Sequence, residues 1–361
     1  MDLIIPAVIS FLITLISIPL VIKFAKKYTL LDNPKLRLHP AHTQNRIVPR
    51  AGGLANFIGI FIAMLIFIPL TPQIFSIILA LIILLLVGLL DDKYQNISPY
   101  LRLCAQFLAA LVVVIAGVGI NFITNPLGGI ILLDNFNLVF NLFGFTQTII
   151  ISDIFAIIWI VWVMNMLNWS KGVDGQMPGI VAVSALVLGL LSLQISTFKD
   201  PAQINVAKIA FITSASALAL LIFNWYPAKI FPGFSGSTIL GFMIATLSIL
   251  SGAKLATAGL VLLIPATDFL YTFIRRILQG KSPVWGDRGH LHHKLLEAGL
   301  THRQIALFYI LGSVILGAAA LNLSSSGKLF AAILIATVIL GAILWLNFFG
   351  ELLKHQDRGS G

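Results

Sequence analysis

Two adjacent aspartates, Asp91 and Asp92, follow an uncharged apolar run from Phe75 to Leu90. Carboxylates so placed sit where hydrocarbon gives way to water. They can meet a lipid headgroup and a charged, water-borne substrate together. Ionisable groups at membrane depth are costly to keep, so the pair points to function. A merely solvated helix end is the bland alternative. It is weakened because acids at a helix C-terminus oppose the macrodipole.

Four further polar clusters interrupt the apolar chain. The first holds Asp32, Asn33, Arg37, His39 and Arg46 and runs into Gly52 and Gly53. The second is Asn165, Asn168, Lys171, Gly172, Asp174 and Gly175. The third runs from Asn224 through Lys229 to Gly233, Ser235, Gly236 and Ser237. The fourth is Asp287, Arg288, His290, His292 and His293.

Each cluster has two readings. Asn165 and Asn168 stand one helical turn apart, and either hold a ligand or join helices by hydrogen bonds. The glycine-serine stretch is either a turn ahead of a helix or a helix start whose N–H groups cradle phosphate. The histidines are either a metal tract or a polar loop. Arg288 beside them suits a diphosphate, because guanidinium binds phosphate through two parallel hydrogen bonds. The basic loop 23–50 is most simply an anchor on anionic lipid. Five such clusters on one face describe an anion-binding site, and phosphate chemistry on a lipid fits that inventory.

The elements that must position them are membrane helices. The chain has 361 residues, of which 58% are hydrophobic and 10% charged, and its mean hydropathy is +1.00. A soluble domain carries roughly 25% charged residues. A crossing needs about 20 apolar residues, which gives about eleven candidates. They are 3–22, 51–70, 75–90, 103–120, 150–167, 178–194, 205–223, 237–252, 256–273, 306–322 and 329–349. Helices are expected because they satisfy their own backbone in lipid. The fold class is therefore all-α, a polytopic bundle of about eleven transmembrane helices. Residues 1–349 form one integral membrane domain, and 350–361 is a polar, frayed tail. The first segment lacks a basic leader and a small-residue cleavage site, and reads as a retained helix. The apolar loop 121–149 alternates weakly and reads as a short hairpin.

The net charge of +10 does not indicate nucleic acid. With an outside N-terminus, all of the 23 Lys and Arg residues except Lys199, Lys208, Lys254 and Lys328 fall at the inner side. That bias sets the N-terminus outside and the polar face toward the cytoplasm. One cysteine, Cys104, excludes an internal disulfide and a cysteine metal cluster. Charges are expected at helix ends and not mid-helix, which argues against a transporter or channel.

In order and spacing the clusters resemble the polyprenyl-phosphate N-acetylhexosamine-1-phosphate transferases, glycosyltransferase family 4. The resemblance runs from about Leu31 to about Gly299. It is carried by Arg46, Pro49, Gly52-Gly53, Asp91-Asp92, the frame Asn165…Asn168…Gly172-Val173-Asp174-Gly175, Asn224…Ala228-Lys229, and Asp287-Arg288…His290…His292-His293. The histidine stretch is closer to the N-acetylglucosamine-1-phosphate branch. The family implies transfer of a sugar 1-phosphate from a UDP-sugar to polyprenyl phosphate, with release of UMP and use of Mg²⁺. It implies a bacterial-type plasma membrane and the first membrane step of a cell-envelope glycan pathway. On that pattern Asp91, Asp92, Lys171 and Asp174 are catalytic. Asn165, Asn168, Lys229, Ser235, Ser237, Arg288, His290, His292, His293 and Arg46 bind substrate. Asp91, Asp92 and Asn168 are the candidate metal ligands. The partners are polyprenyl phosphate, UDP-sugar and the bilayer. No nucleic acid is expected, and a homodimer is admissible.

Two positions depart from the family pattern. Lys171 stands where the third motif has an aspartate, and Phe234 where the glycine-serine motif has one. Losing two carboxylates and gaining one ammonium adds three units of charge, against two from a divalent ion. Three consequences stay open. Lys171 replaces the metal's charge, or Asp91, Asp92 and Asn168 hold a displaced metal, or the chain binds lipid phosphate or nucleotide without transfer.

Overall fold

The computed structural model describes residues 3–35, 43, 46–125, 128–133, 137–142, 145–195, 201–252, 254–282 and 289–359. The chain begins with α1 (Ile4–Lys27) and the two-residue strands β1 (Leu31–Asp32) and β2 (Val48–Pro49). Then come α2 (Gly52–Phe67), α3 (Pro72–Tyr94) and α4 (Pro99–Ile115). Strands β3 (Phe122–Thr124), β4 (Ile130–Leu132), β5 (Asn137–Leu142) and β6 (Phe145–Ile150) follow. The remaining helices are α5 (Ile151–Trp169), α6 (Gln176–Ile195), α7 (Pro201–Asn224), α8 (Gly233–Leu250), α9 (Leu255–Val261), α10 (Leu263–Leu278), α11 (Leu291–Glu297), α12 (His302–Asn322) and α13 (Ser325–Gly359).

The fold is all-α apart from small strand pairs. Each predicted crossing overlaps helix, although 256–273 is divided between α9 and α10, and 51–70 and 103–120 run past the ends of α2 and α4. Among the described residues, eight helices are long and apolar enough to span, and the bent pair α9–α10 makes up to nine. Helices α2 and α4 are shorter and apolar. Local chemistry sets the ends. Thr71 caps α3 by accepting the Ile74 N–H at 3.3 Å, ahead of Pro72. Gln95 ends α3 in the left-handed region at φ 57°.

Three expectations need correction. The span 256–273 is not one rod: α9 and α10 meet at Leu262 with an 84° bend. Pro265 accounts for it, since it has no N–H for the Val261 carbonyl four residues back and its ring clashes with that carbonyl. The loop 121–149 contains two antiparallel ladders, β3–β4 and β5–β6, where one hairpin was expected. The tail is helical to Gly359, because 350–358 contain good helix formers and neither glycine after Gly350 nor proline.

Helix α8 is the axis of the bundle. Of its apolar window 94% is buried, against 11% for α13. It packs against α2, α3, α5, α6 and α7. Gly88 permits one of the tight crossings, since a Cβ there would lie 2.5 Å from the Ser235 Cα. The end of α3 therefore meets the start of α8 almost backbone to backbone.

Candidate functional site

The start of α8 is built as an anion site and is already filled. Gly233 takes φ +74°, and a Cβ there would collide with the Asp92 carboxylate. Asp92 Oδ1 accepts the Phe234 N–H at 2.7 Å. Asp92 Oδ2 accepts the Ser235 N–H at 3.2 Å and the Ser235 hydroxyl at 2.5 Å. The N–H groups that a phosphate would use are thus given to the chain's own carboxylate. Arg50 Nε lies 3.6 Å from Asp92 Oδ1, and Arg50 Nη1 lies 3.5 Å from Asp32 Oδ1. Arg50 is held by β2 and by the backbone docking of Gly52 and Gly53 onto Phe231 and Pro232.

Asp91 has a different environment. It lines a cavity of about 1000 Å³ between α3, α4, α5, α8, α10 and the histidine segment. Arg102 Nη1, one turn into α4, lies 3.6 Å from Asp91 Oδ1. Lys171, Asn168, Asn165, Asp174, His290, His292 and His293 line the same cavity. Asp91 and the imidazole stretch therefore share one hollow, while Asp92 lies behind its wall.

Lys171 is partly buried and follows the end of α5. Its Nζ donates to Asn168 Oδ1 at 2.6 Å, to the Gly233 carbonyl at 3.1 Å and to Ser237 Oγ at 3.4 Å. Burial, then the Arg50 guanidinium, hold this ammonium down to about 7, with Asp92 and Asp91 acting in the opposite sense. The Phe234 ring has two cations near it, Lys171 Nζ at 5.8 Å and the Arg102 guanidinium carbon at 5.4 Å.

The turn after α5 is latched from two sides. Asp174 Oδ2 accepts Arg46 Nη2 at 2.6 Å and the Ala228 N–H at 2.9 Å. Asn224 Oδ1 accepts the Gly175 N–H at 2.9 Å, and Thr43 donates to the Gly172 carbonyl at 2.6 Å. Opposite, the rings of His290 and His292 stack at 5.5 Å, and those of His292 and His293 meet tilted at 4.4 Å. His292 is held well below the ordinary imidazole range, first by burial and then by His293, His290 and His302.

Several predicted residues sit elsewhere. Lys229 is exposed and does not line the cavity. Its neighbours Ala228 and Ile230 turn inward to Asp174 and Asn224, which sends Lys229 to the surface. Ser235 and Ser237 lie behind the cavity wall, on Asp92 and Asn168. Arg46 holds Asp174 from outside the lining. Asn165 lines the cavity, yet its amide donates to Gln106 Oε1 at 2.7 Å and joins α5 to α4. Arg288 lies outside the described residues, as do Asp287, Arg37 and His39.

Sequence reasoning missed Arg50, Arg102 and Asp268. The two arginines were absorbed into the inner-side charge bias. Asp268 is a buried acid within α10, contrary to the expectation that charges stay at helix ends. Its presence in an apolar run was the available signal.

The donor set does not fit Mg²⁺ well. A hard divalent ion takes six or more oxygens. Both Asp92 oxygens accept N–H or O–H donors, and the Asn168 carbonyl accepts Lys171 and Ser237. Asp91 is the carboxylate left, and Arg102 stands against it. Among the described residues no group of three or more His, Cys, Asp or Glu could hold a metal ion.

Known proteins resemble this chain over most of its length. The sequence pattern described as glycosyl transferase family 4 matches residues 74–252. The chain is 29% identical over 351 residues to the "Probable undecaprenyl-phosphate N-acetylglucosaminyl 1-phosphate transferase" of Bacillus subtilis, covering 95% of this chain and 86% of that one. It is 29% identical over 328 residues to the decaprenyl-phosphate N-acetylglucosaminephosphotransferase of Mycolicibacterium smegmatis, covering 81% and 76%. It is 27% identical over 305 residues to the undecaprenyl-phosphate alpha-N-acetylglucosaminyl 1-phosphate transferase of Escherichia coli K12, covering 81% and 76%.

Proposed function

The chain belongs to glycosyl transferase family 4 and is a membrane-embedded sugar-phosphate transferase; from that premise we propose that it moves an N-acetylhexosamine 1-phosphate from a UDP-sugar to polyprenyl phosphate. The observation that carries this reading is one cavity with a polar end and an apolar end. Asp91, Arg50, Arg102, Lys171 and three histidines line the first, while Leu103, Phe107, Ile158, Trp162 and Phe273 line the second. A lipid phosphate needs both. Relatives named for undecaprenyl and decaprenyl phosphates support the lipid acceptor.

In this reading an oxygen of the lipid phosphate attacks the sugar-bearing phosphorus of the donor. The bond from that phosphorus to the bridging oxygen breaks, and UMP leaves with the electron pair. Phosphoryl transfer depends mostly on positioning and charge stabilisation. Asp91 takes or orients the acceptor's remaining proton. Arg50, Arg102 and Lys171 spread the negative charge that builds on the leaving diphosphate oxygen. Asp174 and Asn168 fix the turn that carries Lys171, and His290, His292 and His293 close the phosphate and sugar side. Asp92 acts from behind, by fixing the start of α8.

The eight long spans, the bent pair and the short helices α2 and α4 together support eleven crossings. The charge bias supports an outside N-terminus and a cytoplasmic active face, in a bacterial-type plasma membrane. The product would be the first lipid-linked sugar of a cell-envelope glycan, and assembly as a homodimer is compatible with this reading.

Purified protein in lipid nanodiscs, given polyprenyl phosphate and a panel of UDP-sugars, should release UMP with one of them. A second reading, a binder without transfer, is favoured by the replacements at Lys171 and Phe234. It predicts nucleotide or lipid-phosphate binding with no UMP from any donor.

A further inference from the structure

We propose that this chain engages its diphosphate ligand without a divalent cation, because the Lys171 ammonium is built into the place of the ion and Phe234 withholds a metal ligand. The inference rests on the family reading for the identity of the ligand, and does not require turnover.

The oxygens around Lys171 form a cation cage. Asn168 Oδ1, the Gly233 carbonyl and Ser237 Oγ converge on its Nζ at 2.6, 3.1 and 3.4 Å. An ammonium has three donors, and here three neutral acceptors meet them. The cation that these oxygens hold is therefore part of the polypeptide. The longest contact, to Ser237, is the one a phosphate oxygen would displace.

Among the described residues, Lys171 makes no ion pair within 4.0 Å, and Asp92 and Asp91 act on it from farther away. A partly buried ammonium whose close contacts are neutral oxygens has its charge only partly compensated, and a ligand phosphate would supply a close anion.

The Phe234 ring lies 5.8 Å from Lys171 and 5.4 Å from Arg102, so it attracts both cations. It offers a metal no oxygen. Asp92, the carboxylate beside it, is spent on the N–H groups of Phe234 and Ser235. Of the charged residues that line the cavity, Asp32 is paired with Arg50, Asp174 with Arg46 and Asp91 with Arg102. Lys171 is the lining cation outside these pairs, and it favours a diphosphate over Mg²⁺.

The test uses the full chain in nanodiscs, with UDP as the probe for the diphosphate and Mn²⁺ as a spectroscopic probe for the metal. Calorimetry should give UDP affinities equal within about twofold in chelator and in Mg²⁺, and electron paramagnetic resonance should detect no site-bound Mn²⁺. Lys171→Met should weaken UDP about tenfold or more, the value of a charge-assisted hydrogen bond. Lys171→Arg, which keeps the charge, should stay within about threefold of the parent. The double variant K171D/F234D should gain Mn²⁺ binding and make UDP binding require Mg²⁺. UDP affinity that collapses in chelator, Mn²⁺ bound by the parent chain, or unchanged affinity in Lys171→Met would each overturn the proposal. If a variant does not fold, the chelator titration of the parent chain still decides. UMP release separates the two readings. Metal-free UDP binding with no release under any condition removes the transferase reading and leaves this inference. Release that demands Mg²⁺ does the reverse.

Discussion

Asp268 reaches from α10 to the histidine segment and grips it at two points. Its Oδ2 lies 3.1 Å from His290 Nδ1, and its Oδ1 accepts the Leu291 N–H at 2.7 Å. The Nδ1 contact leaves Nε2 as the nitrogen available to a ligand. Asp268→Asn should lower turnover roughly ten- to a hundredfold, the scale of one charge-assisted bond. The effect should appear in kcat and in the shape of the pH–rate profile. Loss confined to the melting temperature would reduce Asp268 to a structural latch.

The adjacent acids divide the labour. Asp91→Asn should abolish most UMP release while leaving the melting temperature nearly unchanged. Asp92→Asn should act on stability, because it strips charge from the fully buried group that ties α3 to α8. Breaking such a buried arrangement costs on the order of 3–5 kcal/mol. Thermal melts and UMP release on the two variants separate the roles. Equal melting temperatures would refute the division.

His292 predicts an acid limit to stability. Its folded imidazole is held well below its ordinary value of 6.5, so at low pH the unfolded chain binds a proton that the native state refuses. Stability from this group is complete above about pH 6.5 and falls as the pH drops below it. His292→Gln should flatten that acid limb in melts across pH 5 to 7. Gly172→Ala should also destabilise, because a Cβ at 172 would strike the His292 ring.

The apolar end of the cavity predicts a lipid-selective defect. Trp162 packs edge-on against Phe269, with ring centroids 6.3 Å apart, and lines the cavity on α5. Trp162→Ala should raise KM for polyprenyl phosphate about tenfold, in line with the apolar area lost. KM for the UDP-sugar should hold steady. A parallel rise in both would show that the tryptophan shapes the whole hollow.

Much of this architecture was legible because lipid imposes a single code. Apolar runs of crossing length had to become helices; most did so as single rods, while 256–273 broke in two and the runs at α2 and α4 gave shorter helices. The bend at Leu262 was visible only as Pro265, whose effect depends on its neighbours in space. The convergence of Asp91, Asn168, Lys171 and the histidines followed from their all lying at one end of their helices. Pairing was not legible. Nothing in the sequence distinguishes Asp91 from Asp92, yet one faces the cavity and the other caps α8. Arg102 and Lys93 look alike as inner-side charges, but Arg102 meets Asp91 while Lys93 is exposed. Lys229 fits the motif frame, and only the inward turn of its two neighbours shows why it misses the site.

The contact of Gly88 with Ser235 also fixes how deep the chemistry lies. Because α3 rests directly on α8, the height of Asp91 above the lipid tails is inherited from α8 and not from the hydrophobic length of α3. A thicker or thinner bilayer can therefore be met by tilt and by the outer, lipid-facing helices, while the carboxylate keeps its level against the headgroups.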